Sequence, residues 1–127
     1  MREENVQYFT ETEEEIIRLL IATGMQKTVA KVLVFVARKP GITSRAIERG
    51  ADLRQPEVST AMKYLRSREW ITSHEDQPGK KGRPAIVYGL AKPFMEIMGD
   101  IEEEMRTSAR DRLDLFRKMR KFVKKEF

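Results

Sequence analysis

The chain has 127 residues, 35% charged and 40% hydrophobic, with a formal net charge of +5. That length holds one domain with a modest core, and so many charges imply extensive solvated surface. With no cysteine, disulfides and thiol chemistry are excluded and the cytoplasm is the expected compartment.

Other function classes fall away by inspection. No apolar run approaches the ~18 residues of a membrane span, and the opening MREENVQYFTETEEE lacks the apolar core of a signal peptide. His74 is the only histidine, so a zinc site would need it plus carboxylates alone, a poor ligand set. No Ser/His/Asp or Cys/His arrangement and no Gly-rich phosphate loop stands out. The acidic clusters Glu13–Glu15 and Glu102–Glu104 read as solvated helix surface. Neither an enzyme, a metal nor a cofactor is therefore expected. Charge placement is more informative. Residues 1–24 hold 2 basic and 6 acidic side chains, residues 25–92 hold 14 and 6, and residues 93–127 hold 9 and 8. A basic centre between balanced ends is the electrostatic footprint of a nucleic-acid binder.

In chain order, Thr10-x-x-Glu13 and Thr12-x-x-Glu15 are overlapping capping-box patterns. They predict a helix with Ile16, Ile17, Leu20 and Ile21 on its apolar face, ended by Gly24. A second helix is expected from about Gln26 to Arg38. Val29, Val32, Leu33, Phe35 and Val36 make it the most apolar helix, hence central to the core, and Lys39-Pro40-Gly41 stops it. Thr43 or Ser44 then caps a short helix, Arg45 to Arg49, burying Ala46 and Ile47. Gly50 and Asp52 are expected to make the turn, with Leu53 as its anchor.

The next stretch, Gln55 to Ile71, QPEVSTAMKYLRSREWI, organises the rest. Pro56 suits a first helical turn. Val58, Ala61, Met62 and Leu65 form one apolar stripe. Opposite it stand Ser59, Thr60, Lys63 and Ser67, with Gln55 at the start, and none is acidic. Small residues permit close approach to a DNA major groove, Gln, Ser and Thr read base edges, and Lys meets phosphate. Glu57, at the edge of this face, has two readings: accepting from cytosine N4, or favouring the positive helix N-terminus. Alone, the segment is equally an ordinary amphipathic helix; its neighbours favour helix-turn-helix.

Trp70 to His74 and Ala85 to Leu90 read as strands. Between them, EDQPGKKGRP supplies turn geometry at Pro78-Gly79 and Gly82 and places Lys80, Lys81 and Arg83 together. A basic glycine-rich loop in that position is the wing of a winged helix, able to lie on phosphates or enter the minor groove. Pro93 opens a last helix carrying an apolar stripe of Phe94, Met98, Ile101 and Met105. Leu113, Phe116, Met119 or Arg120, and Val123 continue it in a shifted frame, which predicts a kink at Thr107-Ser108-Ala109 or two helices. Residues 93–105 carry five acidic and no basic side chains, and residues 106–127 carry nine basic and three acidic.

In this order the residues resemble archaeal winged helix-turn-helix regulators of the TrmB and MarR type. GMQKTVAKVLVFVA is similar to the TrmB-type second helix, QPEVSTAMKYLRSREWI to the recognition helix, and KKGRPAIVYGLAKP to a wing ending in Arg-Pro and Tyr-x-Leu. The resemblance covers about Gly24 to Pro93. It implies base and phosphate contacts for Gln55, Ser59, Thr60 and Lys63, and the wing tip for Arg83. Glu69 departs from the glycine that often ends such helices. The large C-terminal effector domain of sugar-responsive TrmB proteins is not expected here, so sugar binding is not carried over. The resemblance leaves a small-molecule effector between core and last helix open.

The expected architecture is mainly α with a small two- or three-stranded β wing. Residues 1–92 form a winged helix-turn-helix domain, and residues 93–127 a dimerisation segment using Phe94, Met98, Ile101, Met105, Leu113 and Phe116. The expected function is sequence-specific double-stranded DNA binding by a homodimeric transcriptional regulator. The alternative is a winged-helix protein-interaction module within transcription or replication machinery.

Overall fold

In the computed structural model, which describes residues 9–76 and 85–127, helix α1 (Glu11–Ala22) begins at Thr10. Thr10 Oγ1 accepts from the Glu13 N–H at 3.1 Å, and the Glu13 carboxylate accepts from the Thr10 N–H at 2.9 Å. This is the expected capping box; Thr12 lies inside the helix. Ile17 and Leu20 are buried, while Ile21 is exposed. Gly24, at φ +109°, turns the chain in a region that residues with a Cβ avoid. Helix α2 (Lys27–Arg38) buries seven residues, Val29, Ala30, Val32, Leu33, Val34, Phe35 and Val36. A helix apolar on nearly every side must be surrounded, and α2 packs against α1 and three further elements described below. Each of these side chains except the smaller Ala30 contributes about 1.5–3 kcal/mol on burial. Phe35 meets the Phe9 ring edge-on at 5.7 Å, and the Arg38 guanidinium lies 4.9 Å from the Phe35 ring centre.

Strand β1 (Ile42–Thr43) follows, then α3 (Ser44–Ala51). Thr43, not Ser44, is the cap, its Oγ1 accepting from the Ala46 N–H at 3.2 Å. Gly50 lies inside α3 rather than in the turn expected for it. Its place is set by packing: the Phe35 ring occupies the space a Cβ would take. The turn is made by Asp52, in the left-handed region at φ 56°, and Leu53 N–H bonds to Glu48 O at 2.9 Å. Helix α4 (Gln55–Ser67) leads through buried Trp70 into β2 (Ile71–Asp76), which pairs antiparallel with β3 (Ala85–Leu90). Besides α1, α2 touches α3, α4 and β3. The β2 strand starts one residue later than expected and runs to Asp76. The sheet has three strands in the order β1-β3-β2, with Ile42 opposite Tyr88 and His74 opposite Val87.

The missing glycine after α4 has a structural consequence. Glu69 adopts φ 63°, a left-handed conformation that costs a residue with a Cβ about 1–2 kcal/mol. Glu69→Gly should relieve that cost, less the added entropy of glycine in the unfolded chain. We expect a net gain of up to about 1 kcal/mol in urea unfolding. A loss of stability would mean that Glu69 holds the turn through its side chain.

The chain divides into two compact units, Met1–Pro93 and Phe94–Phe127. The latter is a single continuous helix, α5 (Phe94–Glu126), so of the two alternatives expected at Thr107-Ser108-Ala109, a kink or two helices, the two separate helices do not hold. None of the three is Pro or Gly, the usual causes of a sharp break. Arg112 donates to Ser108 Oγ at 3.2 Å, and Arg106 pairs with Glu102 at 2.6 Å. Leu113 sits about 120° round the helix from Ile101, off the stripe. Leu115 and Phe122 join the expected Met119 and Val123 in carrying the stripe on. Ile97 and Ile101 are buried, whereas Met98, Met105, Leu113, Leu115 and Phe116 are exposed.

Candidate nucleic-acid interface

The N-terminus of α4 is built by its own first turn. The Glu57 carboxylate accepts from the Arg54 N–H at 2.9 Å, so this side chain caps the helix start, the second of the two roles its position allowed. Pro56 occupies the first turn as expected. Val58, Ala61, Met62 and Leu65 are all buried. That anchoring fixes the opposite face outward: Gln55, Glu57, Ser59, Thr60 and Lys63 are exposed. Tyr64, between the two faces, packs edge-on to Trp70 at 6.5 Å and carries the Arg68 guanidinium 4.9 Å from its ring centre.

The outward face borders a groove of about 570 Å³ lined by Ser44, Gln55, Val58, Ser59, Met62, Lys63, Arg66, Ser67 and Tyr88. Two cations and four small or amide side chains line it, with no carboxylate. Its floor is apolar and its walls come from three elements: the start of α3, the length of α4, and β3. Of the expected α4 residues, Gln55, Ser59 and Lys63 meet in this groove, whereas Thr60 and Glu57 do not line it. Ser44, Arg66 and Tyr88 were not expected. Arg66 was readable, because it stands one helical turn after Lys63. Ser44 and Tyr88 come from remote elements and carry no local signal. Lys80, Lys81 and Arg83 lie outside the described residues.

Among the described residues, no cluster of three or more His, Asp or Glu could hold a metal ion. Nor is any helix among them long and apolar enough to cross a membrane.

Helix, turn and helix (α3–α4), followed by an antiparallel pair that takes β1 as a third strand, fixes the architecture. The fold is a winged helix with a C-terminal helix. Residues 23–82 match the model of the MarR family. Similar solved structures include one described as a possible transcriptional regulator from Methanosarcina mazei Go1, at 19% identity and TM-score 0.59, covering 84% of this chain and 86% of that one. Another is MepR, described as a transcription regulator of the Staphylococcus aureus multidrug efflux pump MepA, at 13% identity and TM-score 0.52, covering 91% and 87%. No curated protein matches the chain. In this winged helix, α4 occupies the recognition-helix position and β2 and β3 are the strands of the wing.

Proposed function

We propose that this winged helix is a sequence-specific double-stranded DNA-binding transcriptional regulator of the MarR type, and not an enzyme. The observation that carries the reading is the acid-free groove beside α4, with Lys63 and Arg66 among Gln55 and serine hydroxyls. Such a face offers hydrogen-bonding groups to base edges and cations to phosphates. The family match over residues 23–82 and the regulators among the similar structures support it. Residues 1–92 are the DNA-binding part, with Gln55, Ser59, Thr60 and Lys63 facing the major groove and Lys80, Lys81 and Arg83 on the wing. Residues 93–127 make a homodimer through the apolar stripe of α5, whose two-fold symmetry calls for a palindromic operator.

The test is a salt titration on a duplex obtained by selection. Phosphate neutralisation makes log affinity fall linearly with log salt. A chain that bound no duplex, or bound one with no salt dependence, would instead fit a winged helix that docks on protein.

Single residues divide the two kinds of contact. Lys63→Ala should weaken binding to every duplex and make the salt slope shallower by about one unit. Gln55→Ala and Thr60→Ala should relax sequence preference, each costing about 1–3 kcal/mol at the base contacted. Operator and random-duplex affinities measured side by side check both, and three variants as tight and selective as the parent would remove α4 from the interface.

A further inference from the structure

We propose that α5 pairs with α5 of a second copy in the antiparallel sense, about a two-fold axis at residue 110, the midpoint of the helix. This rests on the homodimer reading above and adds its geometry.

The stripe on α5 repeats at 18 residues: Ile97 and Leu115, Met98 and Phe116, Ile101 and Met119, Met105 and Val123. Eighteen residues are five turns at about 3.6 per turn, so the apolar side chains of the two halves of the continuous helix Phe94–Glu126 fall along one line. Ile97 and Ile101 are already buried, but Met105 is 43% exposed, Met119 48% and Phe122 68%. A helix does not cover such a stripe by itself, and an exposed stripe of this size marks an interface.

Charge selects the orientation. Residues 93–105 hold five acidic side chains and no basic one, and residues 106–127 hold nine basic and three acidic. A parallel pair sets like charges side by side along its whole length. An antiparallel pair sets the acidic half of each copy against the basic half of the other.

The same orientation gives a consistent register. With the axis at residue 110, Glu96 is level with Lys124 of the second copy, Glu102 with Lys118 and Glu103 with Arg117. Met98 is level with Phe122 and Met105 with Leu115. The stripe is interrupted only by Ser108 and Arg112, already bonded to each other at 3.2 Å. In this register Ser108 of one copy is level with Arg112 of the other. A polar interruption of an apolar seam penalises slipped pairings, so these two residues set the register.

The chain has no cysteine, so spin labels can be placed singly on the full-length protein. Arg110→Cys and Lys125→Cys lie at exposed positions and touch none of the proposed pairs. For an axis at residue 110, pulsed electron-spin resonance should find the two Arg110→Cys labels level along the helices. The Lys125→Cys labels should be about 45 Å further apart along the axis, at about 1.5 Å per residue. Sedimentation at micromolar concentration should give a dimer in both cases. A dimer with the same short distance at both sites would be parallel, which overturns this inference and leaves the homodimer reading standing. A shorter distance at Lys125→Cys than at Arg110→Cys would place the axis elsewhere and overturn it too. A monomer in sedimentation would overturn the homodimer reading, and this inference with it.

Discussion

Replacing Lys80, Lys81 and Arg83 together by alanine is expected to lower operator affinity on the order of 10²-fold at ~0.1 M salt. The basis is counterion release: each neutralised phosphate contributes about 0.9 to the slope of log affinity against log salt, so three lost contacts flatten it by about 2.7. The three cations lie in the segment joining β2 to β3, whose last described pair is Asp76 opposite Ala85. They therefore follow α4 by one strand in the chain, and under the proposed function a basic loop there would supply contacts to the phosphates flanking the groove. Core residues are untouched, so thermal unfolding should shift by no more than about 0.5 kcal/mol equivalent. An unchanged salt slope with the fold intact would show that this segment makes no phosphate contact, and would leave α4 alone as the interface.

Features set by neighbours in the chain were legible; those set by remote contacts were not. The α4 stripe, the Thr10–Glu13 capping box and the buried face of α2 each follow from local spacing. Strand β1 has two residues, too short for any alternation, and exists because Ile42 and Thr43 pair with Tyr88 and Val87 far along the chain. For the same reason the groove beside α4 was legible only on its helical side, as Gln55, Ser59 and Lys63. Ser44 and Tyr88 join it through the packing of α3 and the sheet. The absence of glycine at Glu69 was visible, but its left-handed backbone was not. In α5, Leu113 stands off the stripe of Ile97 and Ile101, yet the helix continues through it without a second start. Leu113 disturbs the frame, whereas Leu115 and Met119 preserve it.

Gly50→Ala should destabilise the winged helix by about 1–3 kcal/mol, the usual cost of overpacking a filled core. At 4–8 °C per kcal/mol for a domain of this size, the melting temperature should fall by roughly 4–24 °C. The sign is informative, because an alanine inside a helix ordinarily stabilises by about 0.8–1 kcal/mol relative to glycine. Two effects compete, and geometry decides between them. A Cβ at Gly50 would stand 2.0 Å from Phe35 Cζ and 2.4 Å from Cε1. The ring is 2% exposed, with Phe9 against it on one side and Arg38 over it on another. It cannot swing clear without opening the contact between α2 and α3. Phe35→Leu shortens the side chain and removes the atoms in collision, at the cost of a cavity. The two changes should therefore couple: the double variant should be at least about 1 kcal/mol more stable than the sum of the single effects. Thermal and urea unfolding of the four proteins would measure this cycle. A Gly50→Ala chain as stable as the parent, or a cycle with no coupling, would mean that α3 moves aside freely and that Phe35 does not require glycine at this position.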